Sequence, residues 1–301
     1  MLWKLPEFKL QPEVIFRIPG INFPITNTLL CTWISIVVLV LLFYFGTRRR
    51  DLIPSGLQNA LEWVVEYLLG LVEGVAGKEK GKKFFPLVAS LFTFILVSNL
   101  LDVFPGVDTI GWIKQGEIDK LNAQLHTHYQ PVLGFLLIDR EITDKLVSWI
   151  RPATSDLNLT LAMALIVVVT CQVFGFYTLG AKEHLVKYIN WRALRRFNII
   201  EFFVGVIEIV SELSRILSFA FRLFGNIFAG GAVLAVFAFL IPFFGDVVFI
   251  PLELFVAVVQ ALVFALLTLV FLEIATTSHE HAEGEHKARE ETESKKAVTA
   301  H

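Results

Sequence analysis

Four separate runs of apolar residues stand out along the chain, each about as long as one membrane crossing. They cover residues 24–46, 84–104, 156–180 and 251–275. A helix needs about 20 predominantly apolar residues to span the hydrocarbon core of a bilayer. Each run therefore predicts one transmembrane helix.

A fifth apolar stretch, residues 199–244, is much longer than the others. As a single helix rising about 1.5 Å per residue it would measure about 68 Å, roughly twice the thickness of the hydrocarbon core. The stretch must therefore either turn back or cross the membrane once, strongly tilted or bent.

The distribution of Lys and Arg decides between these two topologies. With the N-terminus outside, the cytoplasmic segments are 47–83, 181–200 and 277–301, and the outer segments are 1–23, 105–155 and 242–251. The cytoplasmic segments then hold 16 basic residues and the outer segments hold 8, which agrees with the positive-inside rule. We therefore expect the N-terminus outside and the C-terminus in the cytoplasm. This orientation needs an odd number of crossings, so the long stretch crosses once.

The segments between the crossings complete the predicted organisation. Residues 55–77 are apolar but contain three glutamates, which favours a helix lying on the cytoplasmic membrane surface over a crossing. The outer loop 105–155 is mixed in composition and is expected to contain short helices. The chain then divides into an N-terminal outer segment (1–23), a membrane domain (24–276) and a charged, disordered cytoplasmic tail (277–301).

The composition agrees with a polytopic membrane protein and excludes several classes of function. Of the 301 residues, 55% are hydrophobic and 18% are charged, and the mean hydropathy is +0.66. The net charge of −2 argues against a nucleic-acid-binding protein with a basic face. Cys31 and Cys171 lie inside apolar runs, so a disulfide-bonded secreted scaffold is excluded. The chain has no phosphate-binding GxxxxGK[ST] loop and no zinc-binding HExxH motif, so no catalysis, cofactor or metal site is predicted.

Two arginines lie at membrane depth in the fifth stretch. The guanidinium group does not deprotonate in proteins, and placing it at the bilayer centre costs at least about 2.5–3.5 kcal/mol. Arg215 lies about two turns nearer the cytoplasm, where snorkelling to the interface and a channel role are equally compatible with the sequence. Arg222 has some twenty apolar residues on its outer side, so it must face water, a partner or a counter-charge.

Other polar residues share the helix face of Arg222. At about 100° per residue, five of them lie within roughly 40° of it: Glu208, Ser211, Arg215, Ser218 and Asn226. On the last predicted helix, Glu253 and Gln260 are seven residues apart and also share one face. Carboxylates thus lie near both membrane faces with a permanent cation between them. This arrangement predicts an ion pathway that is interrupted in the middle, in contrast to an open pore.

The segment FRLFGNIFAG (221–230) resembles the RLFGN signature of subunit a of F-type ATP synthase. Four further segments resemble the same family in the same order: PSGLQNALEW (54–63), FPLVASLFTFILVSNLLDVFPG (85–106), PATSDLNLTLAMAL (152–165) and PLELFVAVVQALVFALLTLVFL (251–272). The resemblance implies an all-α fold with about five crossings, a surface helix and two long tilted helices that form a hairpin against a rotating c-ring. It also implies peripheral-stalk b subunits as partners, the bacterial plasma membrane as location, H⁺ as the transported ion and nucleotide chemistry on other subunits.

The resemblance further implies roles for individual residues. Arg222 corresponds to the essential arginine, which draws the proton off each c-subunit carboxylate and blocks leakage between two half-channels. Gln260 corresponds to the glutamine opposite that arginine, and Asn226 to the polar residue one turn beyond it. The cytoplasmic half-channel positions correspond to Glu208, Ser211, Arg215 and Ser218.

The outer half-channel departs from the family pattern. Glu253 falls where the family has a titratable His or Glu. Nine residues after the arginine many members have a Glu or His paired with that position, but this chain has Gly231. The outer relay is therefore expected to depend on Glu253 with water or with other polar residues. Those candidates are Asp156, Asn158, Thr160 and Asn99.

There are three alternatives to a proton-conducting stator. A secondary transporter would have its own substrate site at the midplane, but it usually shows inverted repeats and broken helices in matching halves, and neither is apparent. A purely structural membrane subunit has no need of a buried cation, which the polar stripe supplies. A sodium-translocating version of the same subunit remains open, because the ion-binding carboxylate lies on another chain.

Overall fold

The computed structural model describes residues 12–20, 22–48, 54–103, 111–113, 146–148, 151–180, 199–240 and 244–277. Its five long helices are α1 (Asn27–Thr47), α2 (Leu57–Val103), α3 (Leu157–Leu179), α4 (Ile199–Leu240) and α5 (Phe244–Thr276). Its strands are β1 (Val14–Arg17), β2 (Pro24–Thr26), β3 (Gly111–Ile113) and β4 (Leu146–Ser148). All five helices contain a segment long and apolar enough to cross a membrane, so the predicted all-α, polytopic fold class is confirmed.

The first crossing begins three residues later than predicted, because residues 24–26 form β2 and pair antiparallel with β1. The Thr26 Oγ1 accepts a hydrogen bond from the backbone N–H of Leu29 (3.3 Å) and so caps α1. The Asn27 backbone N–H donates to the Glu13 carbonyl (3.1 Å), and the Asn27 Oδ1 accepts from the Glu13 N–H (3.2 Å). These bonds fix the β1–β2 hairpin to the first turn of α1.

The predicted surface helix and the second crossing are joined in one helical run, α2. Gly77 interrupts this run with φ +73° and ψ 167°, a conformation that is essentially restricted to glycine. The half of α2 before Gly77 has one face in the bundle, because Leu68, Val72 and Ala76 are buried. The sequence thus predicted two helices here, and the structure shows where they meet.

The third crossing matches the predicted range 156–180 within one residue at each end. The Asp156 Oδ1 accepts from the backbone N–H of Asn158 (2.9 Å) and caps α3. Gly180, with φ +85°, ends the helix and donates its N–H to the Phe176 carbonyl (3.1 Å).

The long fifth stretch forms one uninterrupted helix, α4, in agreement with the predicted single crossing. Its 42 residues span about 63 Å, so it must tilt or bend within a hydrocarbon core of about 30 Å. The last helix, α5, begins at Phe244, seven residues before the predicted start. Pro251 lies inside α5; it removes one backbone hydrogen bond, but the apolar residues before it continue the helix.

The outer loop differs in part from its prediction. Residues 111–113 and 146–148 pair as antiparallel strands β3 and β4, which the sequence did not predict, while residues 153–155 form a short 3-10 helix. The triplets GWI and LVS contain Trp, Ile and Val, which favour extended backbone. Apart from residues 151–152 and Thr277, the remainder of the loop and the predicted disordered tail lie outside the described residues.

The core lies where α2 and α5 pack along each other, with α3 and α4 against them. Its large, fully buried side chains include Phe84, Ile95, Leu223, Phe264 and Leu269. By contrast, α4 buries only a narrow seam of its described residues, and most of its apolar surface is exposed. An exposed apolar surface of this kind is suited to lipid or to another membrane-embedded protein.

Candidate functional site

The polar stripe predicted on α4 lies on the outward face of that helix. Buried residues of α4 that face the bundle are Phe219, Ala220, Leu223 and Ile227. Away from this seam Ser211, Ser218, Arg222 and Asn226 are exposed, while Glu208 and Arg215 are half-buried. The helix therefore places its apolar seam inward and the exposed members of its stripe on an open face.

Arg222 is exposed although it lies in the apolar centre of α4. The next residue, Leu223, lies about 100° further round the helix and is fully buried, so Arg222 stands beside the buried seam and outside it. Within the described part of the chain Arg222 has neither a hydrogen-bond nor an ion-pair partner. A fixed guanidinium charge is thus presented outward without compensation from the described residues.

Asn226, one turn after Arg222, links α4 to α5. Its Nδ2 donates a hydrogen bond to the Oε1 of Gln260 at 2.9 Å. Gln260 is only 4% exposed, and its Nε2 is buried without a hydrogen-bond partner among the described residues. A buried donor left unpaired costs about 1–3 kcal/mol, so this amide is a place where water or a proton carrier would be stabilised.

A cavity of about 190 Å³ lies between the end of α2 and the facing surfaces of α4 and α5. Its polar lining residues are Asn99, Asp102, Asn226 and Glu253. The Nδ2 of Asn99 is buried and lacks a partner among the described residues, while its Oδ1 accepts from the Thr154 hydroxyl (2.9 Å). Two carboxyl groups and two amides thus line a cavity whose walls are otherwise apolar.

Glu253 lies directly over Gly230. A Cβ added at Gly230 would stand 2.9 Å from the Glu253 Oε1, whereas a Cβ at Gly231 would meet no heavy atom within 4 Å. The glycine that makes room for the Glu253 carboxyl is therefore Gly230, one position before the glycine at which the sequence departs from the family pattern.

Comparison with known proteins gives a consistent result over most of the chain. The family model described as ATP synthase A chain matches residues 29–273. The ATP synthase subunit a of Xanthobacter autotrophicus is 34% identical over 286 residues, covering 89% of this chain and 95% of that protein. The subunit a of Moorella thermoacetica is 30% identical over 271 residues, covering 90% and 98% respectively. The subunit a of Azorhizobium caulinodans is 31% identical over 287 residues, covering 89% and 95%.

The chain belongs to the ATP synthase A chain family. The predicted resemblance to subunit a of F-type ATP synthase is thereby confirmed. The chain is a multi-pass membrane protein of the membrane sector of that enzyme.

Within this member of the ATP synthase A chain family, three of the predicted outer-channel candidates occupy other places. The hydroxyl of Thr28 donates to the Asp156 Oδ2 (3.0 Å), and the other Asp156 oxygen caps α3. Asn158 is exposed, and the buried Thr160 donates its hydroxyl to the Leu157 carbonyl (3.1 Å). Asp156 thus holds the start of α3 against α1, and none of the three residues lines the cavity. Asn99 is the one candidate of the four that does.

Sequence reasoning missed Asp102 as a cavity residue. It lies three positions after Asn99 and therefore on the same side of α2, close to the end of an apolar helix. Its spacing from Asn99 was the available signal, but only the approach of α2 to Glu253 shows that the two carboxyl groups share one cavity.

Arg215 differs from Arg222 in its surroundings. Its Nη1 donates to the Glu212 Oε1 at 3.0 Å, and its guanidinium carbon lies 4.3 Å from the centroid of the Phe271 ring on α5. Only 17% of the Arg215 side chain and 13% of the Glu212 side chain are exposed. The two arginines of the stripe are thus in different states: one is paired and packed, and the other is open.

Proposed function

We propose that this chain is the non-catalytic stator subunit through which protons cross the membrane sector of an F-type ATP synthase. The observation that carries this proposal is Arg222: its guanidinium is exposed on the open face of α4, without a partner among the described residues, one turn from the bonded pair Asn226 and Gln260. Asn226 of this pair also lines the cavity that Asp102 and Glu253 line. The arrangement suits two offset half-channels separated by a fixed charge.

The cavity supports the outer half-channel. A proton from outside would be taken up at Glu253 and Asp102 and passed along the amides of Asn99 and Asn226 with water. The Nδ2 of Asn99 and the Nε2 of Gln260, which have no partner in the described part of the chain, provide donors that would order such water. The proton would then neutralise a carboxylate of the c-ring beside Gln260.

Arg222 provides the separation between the two half-channels. A neutral ring carboxyl can face lipid, but a carboxyl that approaches a fixed guanidinium is stabilised in its charged form and its pKa falls. The proton is therefore released when the ring carboxyl returns to Arg222. The same charge repels a proton that would pass directly from one side to the other. A potential of 100 mV supplies about 2.3 kcal/mol per proton, so several protons are needed for each ATP.

The exposed stripe supports the inner half-channel. Ser211 and Ser218 lie on the same open face as Arg222, and Glu208 lies further toward the start of α4. Hydroxyl groups and a carboxylate along one face would give the released proton a polar path toward the cytoplasm.

The proposed partners are a ring of c subunits on the open face of α4 and peripheral-stalk b subunits elsewhere, in a bacterial plasma membrane. The proposed ion is H⁺, with a sodium-translocating version of the same subunit as the alternative. ATP synthesis that persists unchanged in sodium-free buffer would support H⁺, and a requirement for Na⁺ would favour the alternative.

The decisive experiment replaces Arg222 by Ala in the assembled complex. We expect proton-driven ATP synthesis to fall by at least about 100-fold, because the ring carboxyl loses the charge that discharges it. ATP hydrolysis by the soluble head should continue. Ser214→Ala, an exposed neighbour on the same helix, is the matched control and should retain normal synthesis. Retained synthesis in Arg222→Ala would contradict the proposal.

A further inference from the structure

The inward face of α4 changes character before Phe219. From Phe219 onward the seam is apolar, with Ala220, Leu223 and Ile227 buried. Before Phe219, Gly205 is the only fully buried residue among those α4 positions whose side chains are described. The covered side chains there are Glu212 and Arg215, each less than a fifth exposed, and the half-buried Ile216, which packs against the core. A charged pair therefore joins a single apolar residue in this part of the contact.

These two residues reach α5 through an aromatic ring. Arg215 bonds Glu212 at 3.0 Å and stacks over Phe271 at 4.3 Å, within the range of a cation–π contact. The Phe271 ring in turn packs edge-on against Phe219 (5.4 Å between centroids), and Phe219 packs against Phe264 (4.9 Å). The charged pair thus extends the contact between α4 and α5 beyond the apolar seam.

We propose that Arg215 is a positioning residue: with Glu212 and Phe271 it forms a charge-neutral clamp that holds α4 against α5 and leaves Arg222 as the uncompensated cation facing the rotor. This inference rests on the proposed function. It assigns Arg215 a role different from that of a residue lining the cytoplasmic half-channel.

The spacing of the two arginines shows why a neutral clamp is needed. Seven residues correspond to nearly two full turns, so Arg215 and Arg222 share a helix face and lie about 10.5 Å apart along the axis. A second open guanidinium at that distance would hold a passing ring carboxylate after its discharge. Pairing with Glu212 and packing on Phe271 remove this second site.

The clamp predicts an unusual pattern of mutational effects. Removing one partner of a covered ion pair leaves an uncompensated charge, whereas replacing both partners by neutral groups of similar size is tolerated. Glu212→Gln should therefore lower ATP-driven proton pumping by at least about tenfold. The double variant Glu212→Gln with Arg215→Met should recover to within about threefold of the unmodified complex. Arg215→Lys keeps the charge pair and should also remain within about threefold.

The thiol of Cys171 on α3 gives a second measurement that does not depend on proton transport. Cys171 is buried on α3, which packs against α4. In a Cys31→Ser background it is the only thiol of the chain. We expect maleimide labelling of Cys171 to rise at least about fivefold in Glu212→Gln and to return to the low level in the double variant. Ser214→Ala, adjacent to the clamp but exposed, should change neither measurement.

Each outcome decides the matter. Recovery of pumping and of thiol protection in the double variant supports the clamp, even if the Glu212→Gln complex fails to assemble. If Arg215→Met and the double variant are equally inactive, Arg215 itself serves the proton path. If the Glu212→Gln complex shows normal pumping and normal labelling, the pair does not hold α4 against α5. Failure of the proposed function would appear separately, as normal synthesis in Arg222→Ala, and would leave the labelling result unaffected.

Discussion

At the scale of single residues, the site contrasts groups that are paired with groups that are not. The Asn226 Nδ2 donates a hydrogen bond to the Gln260 Oε1 across two helices, yet the Gln260 Nε2 remains without a partner among the described residues. Arg215 is paired, and Arg222 is open. A polar group without a partner in an apolar environment costs free energy. At a functional site, water or a binding partner can supply the missing hydrogen bond or counter-charge.

Gly230 provides a residue-scale test of the outer cavity. Gly230→Ala would place a Cβ 2.9 Å from the Glu253 Oε1 and force the carboxyl to move. Because that oxygen is the free end of a flexible side chain, we expect normal assembly but a loss of about three- to tenfold in ATP-driven proton pumping. Gly231→Ala, which meets nothing within 4 Å, is the control and should pump normally. Equal pumping in both variants would mean that the position of Glu253 is unimportant.

Glu253 itself should be needed for proton uptake. Glu253→Gln keeps the size of the side chain but cannot take up and release a proton, so we expect proton flux through the membrane sector to fall by about 10–100-fold. Glu273→Gln is a matched control on the same helix. Glu273 pairs with Lys80 at 2.7 Å at the other end of α5, and such partly exposed pairs contribute about 0–1 kcal/mol. Flux should be measured in reconstituted vesicles, and similar losses in both variants would argue against a special role of Glu253.

At the scale of helices, the apolar runs predicted which segments are helical, but they predicted the ends of those helices less well. The crossings correspond to helices because length and hydropathy are properties of the local sequence. The last crossing was predicted from residue 251, but α5 begins at Phe244, because a helix tolerates the loss of one backbone hydrogen bond at Pro251. The strand pairs β1–β2 and β3–β4 were missed because pairing between short segments depends on contacts distant in sequence.

The break in α2 should depend on the backbone of Gly77. Its φ of +73° with ψ of 167° is accessible to glycine, and another residue there costs about 1–3 kcal/mol. We therefore expect Gly77→Ala to lower the temperature at which the detergent-solubilised complex loses this subunit. Gly74→Ala, one turn earlier in regular helix and in open space, should leave that temperature unchanged or raise it slightly. A harmless Gly77→Ala would mean that the two halves of α2 can join without this break.

At the scale of the whole molecule, the sequence predicted the stripe but not the cavity. Helical periodicity alone places Glu208, Ser218, Arg222 and Asn226 on one face, because one helix determines their relation. The cavity requires α2, α4 and α5 together, so Asp102 could not be assigned from its own segment, while Asp156 was assigned to the outer path although it caps α3. Properties of one element were thus predictable, and properties of three elements in contact were not.

The orientation of the whole chain determines which cavity receives protons and is therefore the last prediction. With Cys31 and Cys171 replaced by Ser, a single thiol can be introduced at Arg17→Cys on β1 or at Thr277→Cys after α5, both exposed positions. The surplus of basic residues in the predicted cytoplasmic segments predicts that a membrane-impermeant maleimide labels Arg17→Cys in intact spheroplasts and Thr277→Cys only in inverted vesicles. An odd number of crossings requires the two thiols to behave oppositely. Labelling of both from one side would overturn the five-crossing topology, and the reverse pattern would place the cavity lined by Glu253 on the cytoplasmic side.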